Sequence, residues 1–393
     1  MSLPNVAITI ERQGLGAVAT TTDGIMGLIL TGIAVTGKLV LNTAYAIYSL
    51  DEAGTTLGIT SVVNPAAYKQ IKEFYDTAAP GAKLWVVVCA DTTTIETRVL
   101  KSATPCPAKV LLDAALGEVS VIGVCWTPTT GYTFTAVNGL DPKVASAVTN
   151  AQSLADDYVA LIMPVSFIIE GRGYTGTASA LTDLKGLTNA RVAVMLAATS
   201  SDGSGAVGMA LGRLARVPVQ RKLSRVKSLA LPVTTGYLTS GDTIAAKYSD
   251  MGTAHDKGYI VFRKFAAKSG FYFNDDHTAT ADTDDLHHLS NVRVIDKALK
   301  ITYNTYVEEI DEEVAITDAG KINPQTIAYL QSKIERAINL NMAGEISKFS
   351  AYIDPNQNIL SLPRLAVVLR ITPVGYLTDI IVSLGFKNPA LTT

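Results

Sequence analysis

Apolar residues follow two rhythms along this chain. Early on they bunch into short unbroken runs, and later they recur every three or four positions. The runs are LWVVVCA at Leu84–Ala90, VSVIGVCW at Val119–Trp126, Leu161–Ile169 and Arg191–Ala197. Unbroken runs of this length predict strands buried on both faces. Asn64-Pro65 before the first run and Asp141-Pro142 between the second and third each place a capping residue before a proline at the first helical turn. Tyr68, Ile71, Phe74 and Tyr75 then fall on one helical face. Strand and helix in alternation predict a mostly parallel sheet with helices on both sides. Upstream, Val6, Ile8 and Ile10 alternate with smaller or polar residues, which predicts a strand over Asn5–Arg12. The glycine- and threonine-rich stretch that follows, up to Gly37, is assigned no element.

Beyond Gly236 the pattern changes. Tyr259–Phe265 and Gly270–Phe273 predict paired strands. Val292, Ile295, Leu299, Tyr303, Tyr306 and Ile310 then step by three and four along one long helix. Asn323-Pro324 opens a second, with Ile327, Leu330, Ile334, Ile338, Met342 and Ile346 in its stripe. Strands at Leu365–Ile371 and Leu377–Leu384, joined around Pro373 and Gly375, close the chain. The expected organisation is an N-terminal arm strand (1–20), an α/β region (21–235), a C-terminal domain with two long helices and strands (236–376) and a C-terminal arm (377–393). The fold class is α/β (α+β).

Composition adds one question. Charged residues make up 17% of the 393 positions and hydrophobic ones 48%, against about 25% charged in a typical soluble domain. Either the α/β core is large, or the chain buries much of its surface against neighbours. A net charge of −2 gives no overall pull toward nucleic acid or acidic lipid. Cys89, Cys106 and Cys125 are odd in number and lack CxxC spacing, so no disulfide framework or zinc site is expected. The first residues lack the basic and apolar regions of a signal peptide. The longest uncharged apolar stretch, Gly24–Gly37, falls short of the ~20 residues a membrane span needs.

Three stretches invite chemistry. Gly203-x-Gly205-x-x-Gly208 follows an apolar run and precedes a helix, the spelling of a dinucleotide-binding turn. The acid that should hold a ribose hydroxyl about 20 residues on is missing. After Asp202 the next carboxylate is Asp242, and Arg213, Arg216, Arg221, Lys222, Arg225 and Lys227 lie between. An NADP-type enzyme therefore stays open as an alternative, while a structural turn with no cofactor is the expectation. Asn274–His277 and Asp282–His288 gather possible metal ligands, but Leu286 and His287 stand where an EF-hand needs an oxygen ligand and a glycine. No HExxH is present, and the expectation is a solvated acidic loop whose Asp282, Asp284 and Asp285 favour the positive end of the next helix. No metal ligand is assigned. A G-x-S-x-G elbow is absent and nothing nominates a catalytic residue. The basic run has no interleaved aromatics to stack on bases. Arg213, Arg216, Arg221 and Arg225 are instead candidates for charged contacts between subunits, with Glu308, Glu309 and Glu312 as acidic counterparts. Each chain end carries a strand without an obvious local partner. Such strands pair within their own domain or add to the sheet edge of a neighbour.

Several segments, taken in order, resemble contractile phage tail sheath proteins. GFYFNDDHTATADTDDLHHLSNVRVIDKALK (Gly270–Lys300) is similar to their strand, acidic loop and long helix. NPQTIAYLQSKIERAINLNM resembles the helix that follows, GMALGRLARVPVQRKLSRVKSLAL the segment before, and LAVVLRITPVGYLTDIIVSLGF the closing strands and arm. The likeness covers roughly Ala190–Leu384, is thinner upstream, and points to a divergent, short branch found in phages, prophages and phage-like injection systems. It implies a non-enzymatic subunit that polymerises as stacked rings around an inner tube and contracts to drive the tube through a target membrane. Its partners would be copies of itself, the inner tail tube protein, and baseplate and tail terminator proteins, without direct nucleic-acid contact or membrane insertion. Assembly would occur in the bacterial host cytoplasm, the product being a virion tail or phage-like particle. By position, Val6, Ile8 and Ile10 would belong to a donated N-terminal strand and Ile380, Val382 and Leu384 to a C-terminal one. Lys333 and Arg336 would face the tube. A static virion or baseplate protein is the remaining alternative.

Overall fold

A computed structural model describes residues 22–361, 364–378 and 380–386. The described residues form two compact units that divide between Glu312 and Glu313.

The first unit opens with β1 (Met26–Thr31), β2 (Ala44–Ile47), α1 (Leu50–Thr55), α2 (Pro65–Thr77) and β3 (Leu84–Cys89). Then come α3 (Pro107–Ala115), β4 (Val121–Val124), α4 (Pro142–Ala160) and β5 (Ser166–Glu170). Short strands β6 (Thr188–Asn189), β7 (Val192–Met195) and β8 (Ala197–Ala198) lead to α5 (Val207–Arg216). The unit finishes with β9 (Tyr237–Leu238), α6 (Met251–Asp256), β10 (Phe262–Arg263), β11 (Tyr272–Phe273), β12 (Ala279–Thr280) and α7 (Leu289–Tyr306).

The main sheet has the order β2-β3-β1-β4-β5-β7, all parallel except β2. Its centre is β1, which pairs Met26 with Leu84 on one side and with Val121 on the other. All six β1 residues are buried. This strand lies inside the stretch that was assigned no element, because Gly27 and the surrounding glycines and threonines dilute its apolar signal. Gly27 faces Leu111 of α3, and Gly123 of β4 faces Val207 and Leu211 of α5, so helices cover both sides. Each predicted parallel strand is present with its ends shifted; β5 begins at Ser166 and runs one residue past Ile169.

Backbone pairing runs across the expected boundary at 235. Downstream segments are stitched into the same unit by backbone pairing: β9 pairs β8, β12 pairs β6, and the Ile260 N–H donates to the Val194 carbonyl at 3.0 Å. The predicted pair around Tyr259–Phe265 and Gly270–Phe273 forms as β10–β11, with Phe262 opposite Phe273. In α7 the buried face is rotated from the expected stripe. Ile295 and Tyr303 are exposed, while Leu289, Val292, Arg293 and Asp296 are buried. Asp296 forms a two-pronged ion pair with Arg191 at 2.7 and 2.9 Å, and Arg293 donates to the Leu214 carbonyl at 3.1 Å. Polar anchors decide which side of this helix turns inward, a choice that an apolar tally cannot see.

The second unit holds α8 (Pro324–Asn341) and an antiparallel pair, β13 (Ile346–Ile353) with β14 (Val367–Pro373). Ile327, Leu330, Ile334 and Ile338 are buried as the spacing predicts. Ile346 leaves that stripe, because the helix stops at Asn341 and the chain turns into β13. The final expected strand, Leu377–Leu384, has no regular structure at the described positions. Leu377, Ile380, Ile381, Val382, Leu384 and Phe386 are each at least 76% exposed.

α2 and α5 touch at backbone distance. A Cβ on Gly208 would lie 2.0 Å from the Gln70 carbonyl oxygen, and one on Gly212 would lie 2.2 Å from that of Phe74. Neither carbonyl can retreat without unpacking a helix. Gly208→Ala is expected to destabilise the unit by about 1–3 kcal/mol, the usual cost of overpacking. Denaturant titration measures it, and an unchanged midpoint would contradict the packing.

Candidate functional site

The glycine turn sits between β8 and α5, beside the carboxyl ends of the sheet strands. Gly203 has φ +75° and supplies the left-handed bend. A nucleotide would need the free N–H groups at the start of α5. Here the Gly205, Ala206 and Gly208 N–H groups are taken from within. The Gly205 N–H donates to Oε1 of Glu170 at 2.7 Å, and Oε2 of that carboxylate accepts from the Trp126 N–H at 2.8 Å. The Gly208 N–H donates to Oε1 of Gln70 at 2.8 Å, while Gln70 Nε2 donates to the Gly205 carbonyl at 2.7 Å. A carboxylate and an amide thus stand where phosphate oxygens would. Burial pushes the Glu170 carboxyl up, and the Arg172 charge and these backbone donors oppose that.

A cleft of about 240 Å³ lies alongside, between the carboxyl ends of β1 and β4, where the chain reverses its direction of travel across the sheet. Open α/β sheets bind ligands at this crevice. Leu30, Thr31, Lys69, Cys125, Glu170 and Arg172 are among the residues lining it. Its cations are engaged: Lys69 meets Ser200 at 2.6 Å and Asp202 at 3.0 Å, and Arg172 donates to the Gly203 carbonyl at 3.2 Å. Cys89, Cys106 and Cys125 are buried free thiols, and burial pushes Cys125 well up.

The acidic loop is solvent-exposed at Asp282 and Asp285, as expected, but its first half turns inward. A bridge between His277 and His288 brings its two halves together. Asp276 is fully buried. Its carbonyl accepts from the Leu289 N–H at 2.9 Å and its Oδ2 from the Ser290 N–H at 3.0 Å. Asp276 therefore caps α7, in place of Asp282, Asp284 and Asp285. Asp282 instead meets His277 at 2.7 Å and Lys185 at 2.9 Å, and Asp284 accepts from the Leu286 N–H at 2.8 Å. Lys222 reaches in from the basic segment, 3.1 Å from Asp275 and 2.7 Å from His288 Nε2. Burial would raise Asp275, but Lys222 and His288 outweigh it and hold the carboxyl at about 2. Burial, then the Asp275 charge, push Asp276 up to about 6. Burial pushes His288 down to about 3.

The proposed contact residues separate by exposure. Arg213 is buried and donates to the Ser228 and Leu229 carbonyls, so its guanidinium is committed within the chain and it is withdrawn as a surface contact. Arg216 is exposed, Arg221 and Arg225 are half-buried, and Glu308 and Glu312 are exposed with Glu309 half-buried. Lys333 is half-buried and Arg336 exposed on α8. Ile380, Val382 and Leu384 are exposed, whereas Val6, Ile8 and Ile10 lie outside the described residues. Sequence reasoning missed Glu170, Gln70 and Lys222. Their partners are 35, 135 or more and 53 or more residues away, so no local spacing marks them.

Family models for the DUF2586 N-terminal domain and the DUF2586 C-terminal domain match residues 3–277 and 285–391. The chain belongs to the DUF2586 family. No curated protein sequence matches it. Among solved structures, this DUF2586 chain resembles a chain of the anti-feeding prophage helical sheath in its contracted state. Identity there is 14%, TM-score 0.62, with 98% of this chain and 99% of that one covered. It also resembles a chain of the contracted PVC sheath complex of an extracellular contractile injection system, at 13% identity and TM-score 0.59, with 98% of each covered. The sheath tail protein of Listeria innocua matches at 9% identity and TM-score 0.50, covering 89% of this chain and 95% of that one. The DUF2586 chain has the fold of contractile sheath proteins, and these neighbours are structural proteins. Among the described residues no helix is long and apolar enough to cross a membrane.

One buried group beside the turn carries a pH dependence. Glu73 of α2 accepts from the Thr199 hydroxyl, while its Oε2 has no partner. Burial pushes this carboxyl from 4.5 up to about 7 against the pull of Lys69. The fold therefore holds a proton that the unfolded chain releases between these values, and stability falls as pH rises through the window. Glu73→Gln should raise stability at pH 8 by up to about 3 kcal/mol and change little at pH 5. Unfolding midpoints across that range measure it. Parallel profiles for variant and wild type would contradict the assignment.

Proposed function

We propose that this chain is the structural subunit of a contractile tail sheath, polymerising as stacked rings around an inner tube and shortening to drive that tube through a target membrane. The observation that carries the reading is the likeness to sheath chains over nearly the full length of both partners. The exposed apolar residues of 377–386 support it, because a lone chain gains nothing by holding Ile381 and Leu384 in water. In this reading they add as a strand to the open edge of a neighbour's β13–β14 pair, whose backbone groups are ready to accept one. Residues 1–20 would form a second donated strand around Val6, Ile8 and Ile10. Lys333 and Arg336 would face the inner tube protein, and baseplate and tail terminator proteins would meet the ends of the polymer. Assembly would take place in the host cytoplasm. The energy of contraction would lie in the difference between two packings of the same subunits, with no nucleotide consumed. The occupied glycine turn supports a non-enzymatic subunit, since a nucleotide would have to displace Glu170 and Gln70.

Negative-stain electron microscopy of the purified, concentrated protein tests the polymer. Hollow tubes or stacked rings are expected, and removal of residues 378–393 should abolish them while the far-ultraviolet dichroism of the remainder persists. A monodisperse, folded monomer at every concentration would contradict the proposal.

Charge should set how copies meet. Reversing Arg216, Arg221 and Arg225 to Glu is expected to lower polymer yield by roughly tenfold or more, since like charges placed across an interface cost over a kcal/mol. Sedimentation measures the yield. Undiminished assembly of the folded variant would remove these residues from the interface.

A further inference from the structure

We propose that Asp275, Asp276 and His288 form a binding site for a divalent transition-metal ion, with Lys222 as the group that competes for the same ligands. One ligand atom from each of the three residues lies within 4.8 Å of the other two. His288 Nδ1 is 3.5 Å from Asp276 Oδ1 and 3.6 Å from Asp275 Oδ1. Donor atoms around a shared ion at roughly 2.1 Å each stand a little over 3 Å apart, so a small inward movement completes the geometry.

Two observations reach beyond a grouping of acids. Asp276 is fully buried, yet its Oδ1 has no hydrogen-bond partner. His288 is only 9% exposed, and its Nδ1, directed at both carboxylates, also has none. Two orphaned atoms facing each other leave a place for something that both can hold. Charge points the same way. Two carboxylates, Asp275 and Asp276, stand around one ammonium, that of Lys222, which leaves the pair of acids short of one positive charge. The ring nitrogen selects the class of ion. One imidazole with two carboxylate oxygens suits zinc or manganese, where an all-oxygen set would suit calcium or magnesium.

Lys222 makes the site a switchable one. Its Nζ lies 2.7 Å from His288 Nε2, so Nε2 accepts and the ring proton sits on Nδ1. An ion on Nδ1 moves that proton to Nε2, which then confronts the ammonium as a second donor. Lys222 must leave His288 while keeping Asp275. The segment it belongs to carries Arg221 and Arg225, so metal uptake shifts the basic surface. The other ionisable groups near the site are committed elsewhere: His277 to Asp282 and the Thr278 carbonyl, and His287 to the Asp284 carbonyl.

Equilibrium dialysis of the untagged, full-length protein against zinc chloride or manganese chloride, followed by elemental analysis, tests the site. The wild type should retain about one equivalent, and Asp276→Asn and His288→Ala should each weaken binding by roughly tenfold or more. Lys222→Met should bind more tightly than wild type, a gain that misfolding cannot produce. Wild type retaining no more ion than Asp276→Asn, or Lys222→Met binding no better, would overturn the assignment.

Discussion

The Glu170 carboxylate is the contact on which the first unit turns. It sits at the end of β5 and accepts from Trp126 after β4 and from Gly205 before α5. It thus ties two strand ends and a helix start at the point where the sheet reverses direction. With α5 capped from within, Gly208 and Gly212 bring that helix against the α2 backbone. The cost is a buried carboxyl group whose ionised form burial disfavours. A fold that used this crevice for a nucleotide would leave those amides free. This chain uses them to tie its own strand ends and helix start together.

Rigidity in the first unit contrasts with what the second unit leaves unpaired. β13 and β14 form a sheet of two strands, and such a pair is marginal by itself even with α8 against it. Beyond β14 the chain presents Ile380, Ile381, Val382 and Leu384 to solvent. Among the described residues, an open edge and an apolar segment without a strand partner stand in one unit as complementary needs, and copies of the chain could meet both at once. The low charged fraction fits the same arrangement, since surface destined to be covered has little use for charge.

Much of this architecture was legible in the residues. The runs at Leu84, Val121, Ser166 and Val192 read as strands because both faces of the sheet are covered, so no polar alternation interrupts them. The α8 stripe was legible because packing alone sets its face. Other features were hidden for physical reasons. β1 carries Gly27 because Leu111 and Ile122 crowd that point, and the glycine weakens the local strand signal. α7 turns its polar anchors Arg293 and Asp296 inward, so its buried face keeps Val292 but is rotated away from the rest of the apolar stripe. Ile346 fell in step with the α8 stripe by coincidence of spacing. The depth of Asp276 goes with its capping of the α7 start, where it binds the Leu289 and Ser290 N–H groups across a loop that no helix-spacing pattern spans.

The central claim is that residues 380–386 find their partner strand on a neighbouring copy. Amide hydrogen exchange, compared between dilute monomer and assembled polymer, tests it directly. The account predicts rapid exchange over 380–386 in the monomer and strong protection there in the polymer, accompanied by new protection at the free edge of β13–β14. Equal, rapid exchange of 380–386 in both states, within a polymer that forms normally, would contradict it.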